Sequence, residues 1–147
     1  GTWREKMLFN VQGGNLADLK IDYLQEGSFH ISRASKDASW NLEGGGVIDA
    51  KVINTYLEPF KGKVYAESFA DENFAGAMDT LKTKAPDVRL SYRTFSGEAR
   101  SLVLYIRAEN PNGYFGWMED TKVFYTVQRS VIDKFLVPKE YFEQKPS

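Results

Sequence analysis

Cysteine is absent from this chain of 147 residues, which excludes disulfides, thiol nucleophiles and zinc–thiolate sites together. There is one histidine, His30, so any Ser-His-Asp arrangement would have to pass through it. No apolar run approaches the roughly 20 residues that span a bilayer, and no signal peptide is evident. Charge of one sign is also lacking. With 19 Lys and Arg against 20 Asp and Glu, the net charge is −1 and no long block stands out. Nucleic acid and anionic membrane surfaces are therefore poor candidate partners. Metal-ligating pairs at His-x-x-x-His spacing, calcium-loop spacing and a phosphate-loop Gly-Lys-Ser/Thr are missing as well. The expectation is a protein without catalytic residues, metal or cofactor.

What is present is material for a core. Apolar residues make up 42% and aromatics 14%, including eight Tyr and ten Phe, enough buried area to offset chain entropy in one domain spanning 1–147. Alternation places Leu19, Ile21 and Tyr23 on one face of a strand. Gln25-Glu26-Gly27 reads as a turn, and a second strand from Ser28 to Arg33 completes a hairpin. A third short strand carries Trp40, a core candidate, and Leu42, and Gly44-Gly45-Gly46 is expected to break the sheet. Asp49 is placed to cap a helix whose apolar positions Val52, Ile53, Tyr56, Leu57 and Phe60 recur at three- and four-residue spacing, with Pro59 distorting its end. Val64 to Phe69 reads as extended. Asp71 is placed to cap a second helix over about 72–84. Strands follow at Val88–Phe95, Ser101–Ala108, Tyr114–Met118 and Lys122–Val127, separated by turn signals. Ser130 is expected to cap a last helix carrying Val131, Ile132, Phe135 and Leu136, limited by Pro138, and the tail after Phe142 to fray.

Each half thus reads as a strand meander followed by one helix, with Val47-Ile48-Asp49 and Val131-Ile132-Asp133 at comparable places. Two pseudo-repeats, about 8–70 and 88–142, joined by the helix near 72–84, are one reading of this match, and coincidence is the other. The layering expected is α+β: antiparallel sheet with helices packed on it. The rival is a closed barrel enclosing a small apolar ligand, a lipocalin-like carrier, suggested by the opening Gly1-Thr2-Trp3. The lack of an initiator Met suggests a leader or anchor upstream of Trp3, Gly1 being a protease scar.

The order of several strings is similar to a known family. Leu8-Phe9-Asn10-Val11, Leu16-Ala17-Asp18-Leu19-Lys20-Ile21, Ser28-Phe29-His30-Ile31 and Trp40-Asn41-Leu42 resemble the opening of the bacterial domain of unknown function family 4340. The stretch Asp49–Leu57 followed by Val64–Phe69 resembles its middle. Lys122–Val127 running into Ser130–Leu136 resembles its closing strand and helix. The resemblance implies a cell-envelope protein, periplasmic or surface-facing, membrane- or lipid-anchored, of the kind encoded beside ABC transporters related to gliding motility. Its partner would be an envelope or membrane protein. No catalytic residues come with it. Larger members carry a membrane segment and further repeats, whereas this chain has about one two-part unit.

Individual residues weigh the same way. His30 reads as a strand-surface histidine. Asp71-Glu72 and Glu119-Asp120 are adjacent carboxylates that diverge along the backbone, better as a cap and a turn than as an acid/base pair. Gly44-Gly45-Gly46 before a helix lacks phosphate-loop spacing and reads as a connection. The best surface candidate for partner binding is Tyr114, Phe115 and Trp117, three aromatics flanking glycine after an Asn-Pro turn. Alternation puts Tyr114, Gly116 and Met118 on one face and Phe115 and Trp117 on the other, so one set can be core and the other exposed or covered by a helix.

Overall fold

Alternating or continuous apolar runs build the strands of this molecule, and a computed structural model describes residues 6–11, 14–70 and 74–144 of it. Strands β1 (Met7–Val11), β2 (Leu16–Tyr23), β3 (Phe29–Ser32), β4 (Asn41–Leu42) and β5 (Gly46–Val47) lead into helix α1 (Ala50–Leu57). Next come β6 (Gly62–Tyr65), β7 (Ser68–Phe69) and helix α2 (Ala75–Leu81). The chain closes with β8 (Val88–Thr94), β9 (Ala99–Ile106), β10 (Gly113–Met118), β11 (Val123–Gln128) and the single-turn helix α3 (Arg129–Ile132). Nine strands form one sheet in the order β5-β4-β3-β2-β8-β9-β10-β11-β7, and β1 pairs with β6 in a small second sheet. All strand pairs are antiparallel. This is the α+β layering expected. Among the described residues the large sheet runs open from β5 to β7, whereas the rival reading expected a closed barrel.

One face of the sheet carries the main core. Leu19 and Ile21 of β2, Phe29 and Ile31 of β3, Leu90 and Tyr92 of β8, and Leu102 and Leu104 of β9 pack there with Ile53 and Tyr56 of α1. Phe60 and Phe135 end the two inner helical segments and lie 4.0 Å apart, ring centre to ring centre. Phe9 of β1 meets both of them and Tyr92 edge-on or tilted, so aromatic rings fill the space between sheet and helices. The opposite face carries a second cluster. Val103, Tyr105, Phe115 and Phe124 are buried there with Ala70, against Phe74, Ala77, Met78 and Leu81 of the α2 segment.

Several elements differ from their sequence reading for identifiable reasons. The earliest strand is β1, whose Leu8 and Phe9 are both fully buried because its pairing with β6 shifts register between Met7 and Phe9. Such a bulge hides the alternation by which a strand is recognised. Gly44-Gly45-Gly46 does not break the sheet. Gly44 and Gly46 take positive φ values of 79° and 92° and turn β4 back into β5, a backbone path that glycine supplies at no steric cost. Trp40 precedes β4 rather than lying in it, and is buried at 6% exposure. Val64 to Phe69 is two strands in different sheets, β6 on β1 and β7 on β11. Asp49 caps α1 as expected, its carboxylate accepting from the amides of Lys51 and Val52, and Pro59 sits in the 3-10 turn that ends it. Helix α2 is shorter than 72–84 and starts after Phe74 without a side-chain cap; Asp71 lies outside the described residues. Ser130 is inside α3, not its cap, since the helix begins at Arg129. After Pro138 the chain forms another 3-10 turn, Lys139–Glu143, that buries Phe142.

Candidate functional site

At one end of the sheet the last residues of β2 and β9 and the first of β8 and β10 meet the segment after α3. Between them lies an open cleft of ≈ 280 Å³, lined by Tyr23, Leu24, Val88, Ile106, Tyr114 and Leu136 with their neighbours Gln25, Glu26, Asp87, Val137 and Pro138. The local chain explains its shape. Gly27 holds φ at 112°, closing the 24–27 turn in a conformation that a side chain would strain, and a Cβ there would lie against Tyr23 and Pro138. The Lys139 amide donates to the Gly27 carbonyl at 3.1 Å and the Leu24 amide to the Asp87 carbonyl at 3.0 Å. Three separate segments are thereby tied into one rim.

Hydrogen bonding decides what the cleft can do. Tyr23 donates its hydroxyl to the Val137 carbonyl at 2.7 Å, and Tyr114 donates to the Asp133 carboxylate at 2.7 Å. Both phenols are pushed up from their ordinary range, chiefly by burial; for Tyr114, where the bond to Asp133 adds to it, the value is about 12. They stay protonated donors at neutral pH, and both donors are already used. Asp87 accepts from the Ile106 amide at 2.8 Å. The interior therefore offers apolar contact and no unused hydroxyl donor. Leu24 and Ile106 stand at its mouth, 56% and 53% exposed.

The aromatic cluster read from sequence divides between two environments. Tyr114 faces the main core and the cleft and is 2% exposed. Phe115, 6% exposed, lies on the other face, stacked on Phe124 and met edge-on by Phe74. Trp117 shares that face, half-buried, with the Lys82 ammonium 4.5 Å above its ring. Gly116 between them sits where a Cβ would come within 3.1 Å of Val127 and 3.3 Å of Leu102, so inner-face packing accounts for the glycine. Helix α2 covers the Phe115 side, and Tyr114 and Phe115 are not a free surface. Leu24 and Ile106, which sequence reasoning missed, are the exposed apolar residues of this region. The available signal was that Leu24 and Ile106 are the last large apolar residues before polar turns.

The other residues singled out fall elsewhere. His30 has Glu43 at Nδ1, 3.0 Å away, and Asp18 at Nε2, 3.7 Å away, on the open polar face of the sheet. Asp18 also receives Arg93 at 2.6 Å. Glu119 takes Arg89 and the Ser101 hydroxyl, whereas Asp120 takes Arg100 and the Ser101 amide, so the two carboxylates act on different partners. Asp71-Glu72 lies outside the described residues. Among the described residues no group of His, Asp and Glu is arranged to hold a metal ion, and no helix is long and apolar enough to cross a membrane. A smaller cleft of ≈ 200 Å³ lies beside Trp40, where the Arg33 guanidinium stacks 4.9 Å above the indole. Comparison with protein-family models, with curated proteins and with solved structures finds no match.

Proposed function

We propose that this chain is a non-enzymatic binding or scaffolding domain of the bacterial cell envelope, anchored in its full-length form and working beside an ABC transporter. The observation that carries the binding reading is the end cleft: largely apolar walls, tyrosine donors already used, and two large aliphatic side chains left exposed at its mouth. Such a surface suits contact rather than proton transfer or nucleophilic attack. The envelope and transporter part of the reading comes from the order of strings that resembles family 4340.

The two-unit organisation belongs to the same proposal. β2 and β8 lie antiparallel at the middle of the sheet, with β3-β4-β5 stepping outward on one side and β9-β10-β11 on the other. A two-fold axis normal to the sheet would exchange the meanders and bring Phe60 onto Phe135, the rings that meet in a tilted contact across the centre. Units of about 8–70 and 88–142 fit this pattern, although β7, inside the first range, pairs with β11 of the second.

A photo-crosslinking residue placed at Leu24 or Ile106 of the full-length protein, in its own envelope, tests the function. Adducts with a transporter or other membrane subunit from these positions, and none from Lys20 on the polar sheet face, are expected. Equal labelling from all three positions, or none from any, would overturn the reading.

A further inference from the structure

We propose that the end cleft receives an apolar side chain from a partner protein segment that carries lysine or arginine beside it. This inference rests on the binding role above and specifies the chemistry of the partner. Two features of the cleft carry it. The walls are largely apolar and their tyrosine hydroxyls donate to Val137 and Asp133, so a group entering beside them finds apolar contact and no free hydroxyl donor to replace its water. The rim is charged with one sign. Glu26 and Asp87 are its ionisable carboxylates, no Lys or Arg lines it, and neither carboxylate has a basic partner among the described residues.

On the open sheet face, Asp18, Glu119 and Asp120 each have an arginine. At the cleft the carboxylates stand beside Leu24 and Ile106 without a counter-charge. Complementarity of this kind selects partners and speeds their encounter more than it adds raw affinity. The short ties from Lys139 to Gly27 and from Leu24 to Asp87 hold the rim before any partner arrives, which lowers the ordering cost of binding.

The test uses the full chain with methyl-labelled Leu, Ile and Val, titrated with short capped peptides that share a Leu-Phe centre and differ only in flanking Lys, Gln or Glu. Saturable shifts of the Leu24, Ile106 and Val137 methyls are expected with the Lys-flanked peptide. Binding of the Glu-flanked peptide should be weaker by about tenfold or more, a difference of about 1.4 kcal/mol, and the gap should narrow with added salt. The exposed-site variant Glu26→Lys, which sets a lysine against the remaining Asp87, should remove most of the preference for the Lys-flanked peptide without changing the fold. Three outcomes would overturn the proposal: equal affinity for all peptides, no methyl response to any, or concentration-dependent broadening of the same methyls without peptide, which would make a second copy the occupant. If crosslinks from Leu24 persist in the envelope while peptides show no charge preference, the partner chemistry fails and the binding role stands. Silence in both experiments removes both.

Discussion

Two parts of the large sheet share an inner face but differ on the outer one. Across β2, β3 and β8 the outer side chains are Asp18, Lys20, His30, Ser91 and Arg93, an open polar surface. Across β9, β10 and β11 they are Val103, Tyr105, Phe115 and Phe124, buried under α2. Alternation tells which residues share a face, whereas the chemistry of the second set tells whether that face is wet. The unbroken burial of Leu102 to Tyr105 in β9 is the signature of a strand covered on both sides, and the charged alternates of β2 mark one covered on a single side.

The strongest way to break this comparison is to remove a ring from the covered outer face. Phe124→Ala should cost about 3–5 kcal/mol, as much as a main-core truncation, and Trp40→Ala, buried in the first half, should cost a similar amount. Both are read by denaturant unfolding. A loss below about 0.5 kcal/mol for Phe124→Ala would mean that α2 does not seal its face.

The shared inner face has its own signature in alkali. Tyr92 is pushed up to about 12, first by burial and then by Glu98, and Tyr114 likewise to about 12, by burial and its bond to Asp133. Tyr56 is also raised well above the ordinary range, first by burial and then by the neighbouring Tyr23 and Tyr141. A folded-state value above the unfolded one means that the folded protein holds these protons more tightly. Their stabilising contribution is complete below about pH 10, the unfolded tyrosine value, and is lost as pH rises through 12. Stability should therefore fall across that window, together with tyrosinate absorbance. A flat profile to pH 12 would show that these phenols are not held by the fold.

A smaller effect separates the two kinds of polar group in the inner layer. The Tyr56 hydroxyl donates to the Phe135 carbonyl at 2.7 Å, while the buried Tyr92 hydroxyl has no hydrogen-bond partner among the described residues. Tyr92→Phe should leave stability unchanged or raise it by on the order of 1 kcal/mol, because it removes an unsatisfied group and keeps the ring. Tyr56→Phe should lower it by a similar amount. Thermal melts of the pair check the opposite signs.

The same contrast explains what could be read from sequence. β2, β3 and β8 to β11 were legible because their alternation or continuous apolarity is regular, and α1 because Asp49 and the spacing from Val52 to Phe60 agree. β1 was hidden by its bulge, and the split of 64–69 by the fact that Val64 and Phe69 serve different sheets. Three successive glycines signal a break as readily as a tight turn until pairing partners are known. The aromatic run Tyr114–Trp117 was divided correctly between faces, but only tertiary packing decides that a helix covers the Phe115 side. The cleft was least legible of all. It is assembled from four strand ends and a linker more than 100 residues apart along the chain, with Tyr23 bonded to Val137 across 114 positions, and no local pattern marks such a meeting.

The smallest expected effect is on the open face. Lys20 lies 3.8 Å from Asp22, and both side chains are about half exposed, so solvent and salt screen the pair and ordering two long side chains offsets most of its attraction. Lys20→Ala should change stability by no more than about 0.5 kcal/mol. The informative readout is solubility: a bare sheet face stays soluble through its charges, so removing Lys20 together with Arg93 should raise light scattering at concentrations where Lys20→Ala alone stays clear. If the double variant is as soluble as the parent and melts at the same temperature, the polarity of this face is not what keeps it uncovered, and the difference between the two parts of the sheet would have to come from α2 alone.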